Sequence, residues 1–102
     1  MSDINSEITQ SNISSRVKTA ARTGRIIITT HATRRGQERN ISDQQMRNVA
    51  KYGTEVKTEP AKSPLNPNTR MRKCVAGDEI IIMASIVTIA DREHVIIIST
   101  WK

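Results

Sequence analysis

The chain has 102 residues, enough for one domain with a modest core, and carries 16 Lys and Arg against 10 Asp and Glu, a net charge of +6. No window approaches the roughly 18 uncharged apolar residues of a membrane span, and the polar start MSDINSEITQSN is unlike a secretory signal. A lone Cys74 excludes an internal disulfide and suits a reducing compartment, so a cytoplasmic setting is expected.

Residues 1–12 read as a flexible N-terminus ahead of a single domain over 13–102. Ile13, Val17, Ala20 and Ala21 recur at helical spacing, with Ser11 or Asn12 as N-cap and Gly24 just past the end. RIIITT (25–30) is a short β-branched run and reads as a buried strand. Residues 31–39 form a short polar helix. Ser42 and Gln45 then make a capping box, and Ile41 can staple onto Met46. Met46, Val49 and Ala50 give that next helix its apolar side, and Gly53 closes it.

TEVKTE (54–59) alternates weakly, as an edge strand does. Residues 59–70 hold all three prolines and read as a loop whose length suggests either a binding loop or a mobile segment. MRKCVA (71–76) and EIIIMASIVTIA (79–90) flank Gly77-Asp78, a hairpin turn signal; DREH (91–94) makes the next turn and VIIISTW (95–101) the last strand. Helices first and a meander last predict an α+β fold, with the N-terminal helices packed on one face of an antiparallel β-sheet. Trp101 is expected to pack against a helix. Phenylalanine is absent, which argues against an RNA platform built of several stacked aromatics.

The charge is concentrated. Residues 16–39 hold seven bases, Arg25, Arg34, Arg35 and Arg39 among them, against the single acid Glu38; the rest of the chain sums to zero. Such a segment suits a polyanion or an acidic partner protein. Within it, His31, Arg35 and Arg39 lie at i, i+4 and i+8, one above another on a helix, with Arg34 beside them. An imidazole moves protons near neutral pH, and guanidiniums grip phosphate and stabilise charge growing on its oxygens. The same spacing also fits a plain solvated helix. Arg70, Arg72 and Lys73 form a second basic group, with Arg72 and Cys74 on one strand face and Met71, Lys73 and Val75 on the other. One of these bases is placed either to meet a phosphate from across the sheet or to protect an edge strand by charge. His94, in its predicted turn, reads as an ordinary exposed histidine. No spacing suggests a metal or cofactor, so any catalysis is expected to need neither.

HATRRGQERNIS (31–42) resembles the opening motif of the bacterial family designated domain of unknown function 4258, which runs His-Ala-x-x-Arg-x-x-x-Arg-Gly-Ile-Ser before a capped helix. His31, Ala32, Arg35, Arg39, Ile41 and Ser42 match; Asn40 stands where the family has glycine, and both tolerate a left-handed turn. Thr100, in the last strand, falls at the family's matching threonine, and residues 26–102 are covered. The N-terminal helix and strand resemble, more distantly, the MqsR ribonuclease toxins. The family is placed with the barnase, colicin-nuclease and RelE-like group, which includes metal-independent ribonuclease toxins. The resemblance implies a RelE/barnase-like fold, His31 and Arg35 near the scissile phosphate, and Arg39 and Thr100 as supports. It further implies RNA as substrate, free or on the ribosome, and an acidic antitoxin or immunity protein as partner. The alternative is a non-catalytic module on the same scaffold, gripping RNA, DNA or a protein.

Overall fold

In a computed structural model, which describes residues 8–61 and 66–102, the first apolar stripe forms α1 (Ile13–Arg22) and buries Ile13, Val17, Ala20 and Ala21. Asn12 is its N-cap residue, and Gly24 follows the C-cap in the left-handed region, at φ +86°. The expectation of a flexible residue 1–12 segment lies mostly outside the described residues. Of the remainder, Ile8 packs on the core and Thr9 N donates to Asn12 Oδ1 at 2.8 Å.

β1 (Ile26–Ile28) is shorter than RIIITT because Thr29 turns to cap α2 (Thr30–Arg39), accepting from Ala32 N at 3.1 Å. Asn40 ends α2 in the left-handed region at φ 58°. α3 (Asp43–Tyr52) starts with the expected capping box: Gln45 N donates to Ser42 Oγ at 3.1 Å, and Ser42 N to Gln45 Oε1 at 2.8 Å. Ile41 and Met46 are both buried at this entry. Gly53 closes α3 for a reason other than backbone handedness, since its φ is −71°. A Cβ there would sit 2.6 Å from Val49 O and 3.0 Å from Arg72 O, so only glycine lets the helix end against the sheet.

β2 (Thr54–Glu59), β3 (Asn68–Val75), β4 (Asp78–Ile89) and β5 (Arg92–Trp101) complete one five-stranded sheet in the order β1-β5-β4-β3-β2. It is antiparallel with one exception: β1 runs parallel to β5, with Ile26 to Ile28 beside Val95 to Ile97. β3 begins three residues before the predicted start, because Thr69 is buried between Thr58 and Ala84 and extends the ladder. Both hairpin turns fall earlier than expected. Ala76-Gly77 and Ala90-Asp91 all have positive φ, the requirement of two-residue type I′ turns. Arg92 to His94 are consequently strand residues, with His94 opposite Val87 rather than in a turn.

The helices cover one face of the sheet. There Met71, Ile80, Ile82, Val95 and Ile97 are fully buried together with Ile13, Val17, Met46 and Val49. The other face carries Arg70 and Arg72 of β3, Ile81, Met83, Ser85 and Val87 of β4, and Ile96, Ile98 and Trp101 of β5. A register shift opposite Met83 and Ala84 leaves Ile98 as an extra residue in β5 and sets Thr100 beside Ile82, on the core side.

Candidate functional site

α2 is pinned to β5 at its start. Thr29 N donates to Ile97 O at 3.1 Å, and Thr29 Oγ1 donates to the same carbonyl at 2.9 Å. Ala32 and Gly36 are the buried residues of the helix. A Cβ on Gly36 would stand 2.6 Å from Ile41 O and 3.2 Å from Met46 Cε, so the glycine lets the chain double back under the helix. With the small residues inward, the basic ones point out. His31, Arg34 and Arg39 are exposed, and Arg35 is half-buried with its guanidinium 3.5 Å from Glu38. The His31 ring has no hydrogen bond or ion pair among the described residues.

The remaining site residues named from sequence divide into two groups. Arg70 lies on the helix-free face, 5.3 Å over the Trp101 ring and 3.7 Å from Glu59, and its Nε is buried with no hydrogen-bond partner among the described residues. Trp101 therefore carries an arginine on the face away from the core, where sequence suggested helix packing. Arg72 is exposed beside Glu79, at 3.6 Å. Lys73 lies on the other side of β3, 3.5 Å from the Cys74 carbonyl. Arg25 Nε donates to Glu93 O at 2.7 Å. This is the residue whose carboxylate pairs with Arg16, through Arg16 Nε at 2.9 Å and a second bond from Nη2. That hydrogen bond, with the attraction of the carboxylate, raises the Arg16 pKa above its ordinary value. Thr100 is fully buried, and its Oγ1 donates to Ile81 O at 3.0 Å. The structure thus gathers His31, Arg34, Arg35 and Arg39 on one helix and Arg70 with Trp101 on the sheet. Thr100, Lys73 and Arg25 are held elsewhere, in contacts of their own.

A cavity of about 650 Å³ opens on the helix-free face, walled by Val87, Ile96 and Ile98 and edged by Thr29, Asn68 and Ser85. Thr29 is also the N-cap of α2, so the cavity and the basic helix share a residue. The signal for it was in the strands. β4 and β5 carry unbroken apolar runs at 80–84 and 95–98, a pattern that calls for cover on both faces, whereas the helices cover one.

Among the described residues, no group of three or more His, Cys, Asp or Glu is placed to hold a metal ion, and no helix is long and apolar enough to cross a membrane. No protein-family model matches the chain, and no curated protein matches it either.

Proposed function

We propose that the protein is a small metal-independent endoribonuclease of the RelE/barnase-like kind, acting in the cytoplasm as the toxin of a toxin–antitoxin or interbacterial competition pair. The observation that carries this reading is the joint between α2 and the sheet. Thr29 edges the cavity and caps the helix, and the next turns present His31, Arg34, Arg35 and Arg39 outward beside a face that also holds Arg70 and Trp101. RNA supplies its own nucleophile, so proton transfer and charge neutralisation suffice. His31 takes the 2′-hydroxyl proton, the 2′-oxygen attacks phosphorus, and the 5′-oxygen leaves and is protonated by water. The products are a 2′,3′-cyclic phosphate and a 5′-hydroxyl. Arg35 and Arg39 hold the phosphate and offset its growing charge. An acidic antitoxin or immunity protein would cover the same basic helix.

The test is cleavage of RNA, with and without ribosomes, in excess EDTA. Wild type is expected to cut, and His31→Ala to cut at least about 100-fold more slowly. Equal rates remove His31 from the chemistry, and no cleavage by wild type removes the enzyme reading altogether. A second reading has one observation in its favour. Among the described residues, His31 has no partner to orient its ring, which a positioned base usually has and a binding surface does not need. On that reading the protein retains RNA, DNA or a protein on the same basic face without cutting.

A further inference from the structure

We infer that the cavity on the helix-free face is a nucleobase-binding site, and that Asn68 reads the edge of the base. The inference rests on the RNA reading above and specifies what that substrate inserts into the protein. The size is suitable, since about 650 Å³ lies within the range of small-molecule sites and admits a base with its sugar.

Shape and polarity narrow the ligand. The floor is a sheet surface of β-branched side chains, Val87, Ile96 and Ile98, which offers a flat apolar bed to the π-face of a ring. Among the described residues, every polar residue lining the cavity is an amide or a hydroxyl, and none is charged. The charges stand outside it, on α2 beyond Thr29 and at Arg70 over Trp101. A ligand matched to this division has a neutral planar head and an anionic tail, the build of a nucleotide. A phosphate alone finds no cation among the described lining residues, and a purely aliphatic side chain leaves the polar rim unused.

The polar groups are not equivalent. Ser85 Oγ donates to Pro67 O at 2.7 Å, Asn66 Nδ2 to Ile86 O at 2.7 Å, and Thr29 Oγ1 to Ile97 O at 2.9 Å. Each spends one donor on holding the walls, while Asn66 keeps its second amide hydrogen and Thr88 Oγ1 has no hydrogen bond among the described residues. Asn68 differs. Its Nδ2 has only the Met83 sulfur at 3.9 Å, a weak acceptor, and its Oδ1 accepts no hydrogen bond from the described residues. A carboxamide with donor and acceptor both unspent is complementary to a base edge that offers a donor beside an acceptor. Two residues along β3 on the same face, Arg70 covers Trp101, giving a neighbouring base or its phosphate a second place to rest.

The experiment is methyl NMR of the whole chain, following Val87, Ile96 and Ile98 during titration with adenosine, guanosine, cytidine and uridine, and with ribose 5-phosphate as the baseless control. Nucleosides are expected to shift these methyls saturably and ribose 5-phosphate to leave them in place. Asn68→Ala is expected to weaken nucleoside binding about fivefold or more, the worth of one net hydrogen bond. Val87→Trp, which fills the cavity from its β4 wall, is expected to abolish it; far-UV circular dichroism confirms that each variant is folded. The site assignment is overturned if nucleosides leave the methyls unmoved, if ribose 5-phosphate shifts them equally, or if folded Val87→Trp binds as wild type does. Unchanged binding by Asn68→Ala overturns the role given to that side chain. A further arm compares a nucleoside monophosphate with a short oligoribonucleotide on His31→Ala: tighter oligomer binding assigns the base to RNA, equal binding to a free nucleotide. Because no arm depends on cleavage, loss of the ribonuclease reading and loss of the base site are separate results.

Discussion

The two faces of the sheet are built from the same strands and differ in how completely they are satisfied. On the helix side, Met71, Ile80, Ile82 and Ile97 have no exposed surface, and the buried hydroxyls of Thr69 and Thr100 are both hydrogen-bonded, to Ser14 and to the Ile81 carbonyl. On the other side, Ile81, Met83, Val87, Ile96 and Ile98 are only half-buried, a cavity opens among them, and Arg70 Nε is buried without a partner among the described residues. The closely packed face serves stability. The face with unmatched groups is the one that can gain by binding.

Mutation should separate the faces. Ile82→Ala or Ile97→Ala is expected to cost about 3–4 kcal/mol in urea unfolding, while Ile98→Ala on the open face costs about 1 kcal/mol or less. Equal losses would erase the distinction. Gly36→Ala should cost about 2 kcal/mol, because its new Cβ meets the Ile41 carbonyl, which is backbone and yields poorly. Glu93→Gln, which loosens the tie between α1 and β5, should cost about 1.5–2 kcal/mol. The sign of its pH dependence follows from Arg16. A raised pKa in the folded state stabilises at every pH below the ordinary arginine value and is lost only as pH climbs through the raised one. This contribution of Arg16 should therefore be constant between about pH 7 and pH 9, and thermal melts across that range test it. Smallest in stability is Arg70→Ala, at about 0.5 kcal/mol. Its mark should appear in nucleic-acid affinity and in a shallower salt dependence.

Local chemistry was readable where residues declare their own geometry. Ser42 and Gln45 announced the start of α3, Gly24 the end of α1, and the period of Ile13, Val17 and Ala20 the buried side of that helix. The turns were misplaced because Ala76 and Ala90 take positive φ, a conformation for which alanine gives no sign; tertiary pairing of β3, β4 and β5 imposes it. The parallel pairing of β1 with β5 was hidden for another reason: it joins segments more than sixty residues apart in the chain. At the site, helical spacing placed His31, Arg35 and Arg39 correctly on one helix. It could not show that Thr100 faces inward, since that depends on the extra residue Ile98. Nor could it show the cavity, whose walls come from four separate segments.

The place of β5 in the sheet has a consequence for biosynthesis. β1 has no other neighbour in the sheet, and the Thr29 bonds that root α2 also end on β5. As the chain leaves the ribosome, residues 26–39 emerge long before residues 92–101 and wait without their anchor. The basic helix is therefore rooted only once β5 slots between β1 and β4. A chain cut before β5 loses the parallel partner of β1 and both Thr29 bonds at the root of α2.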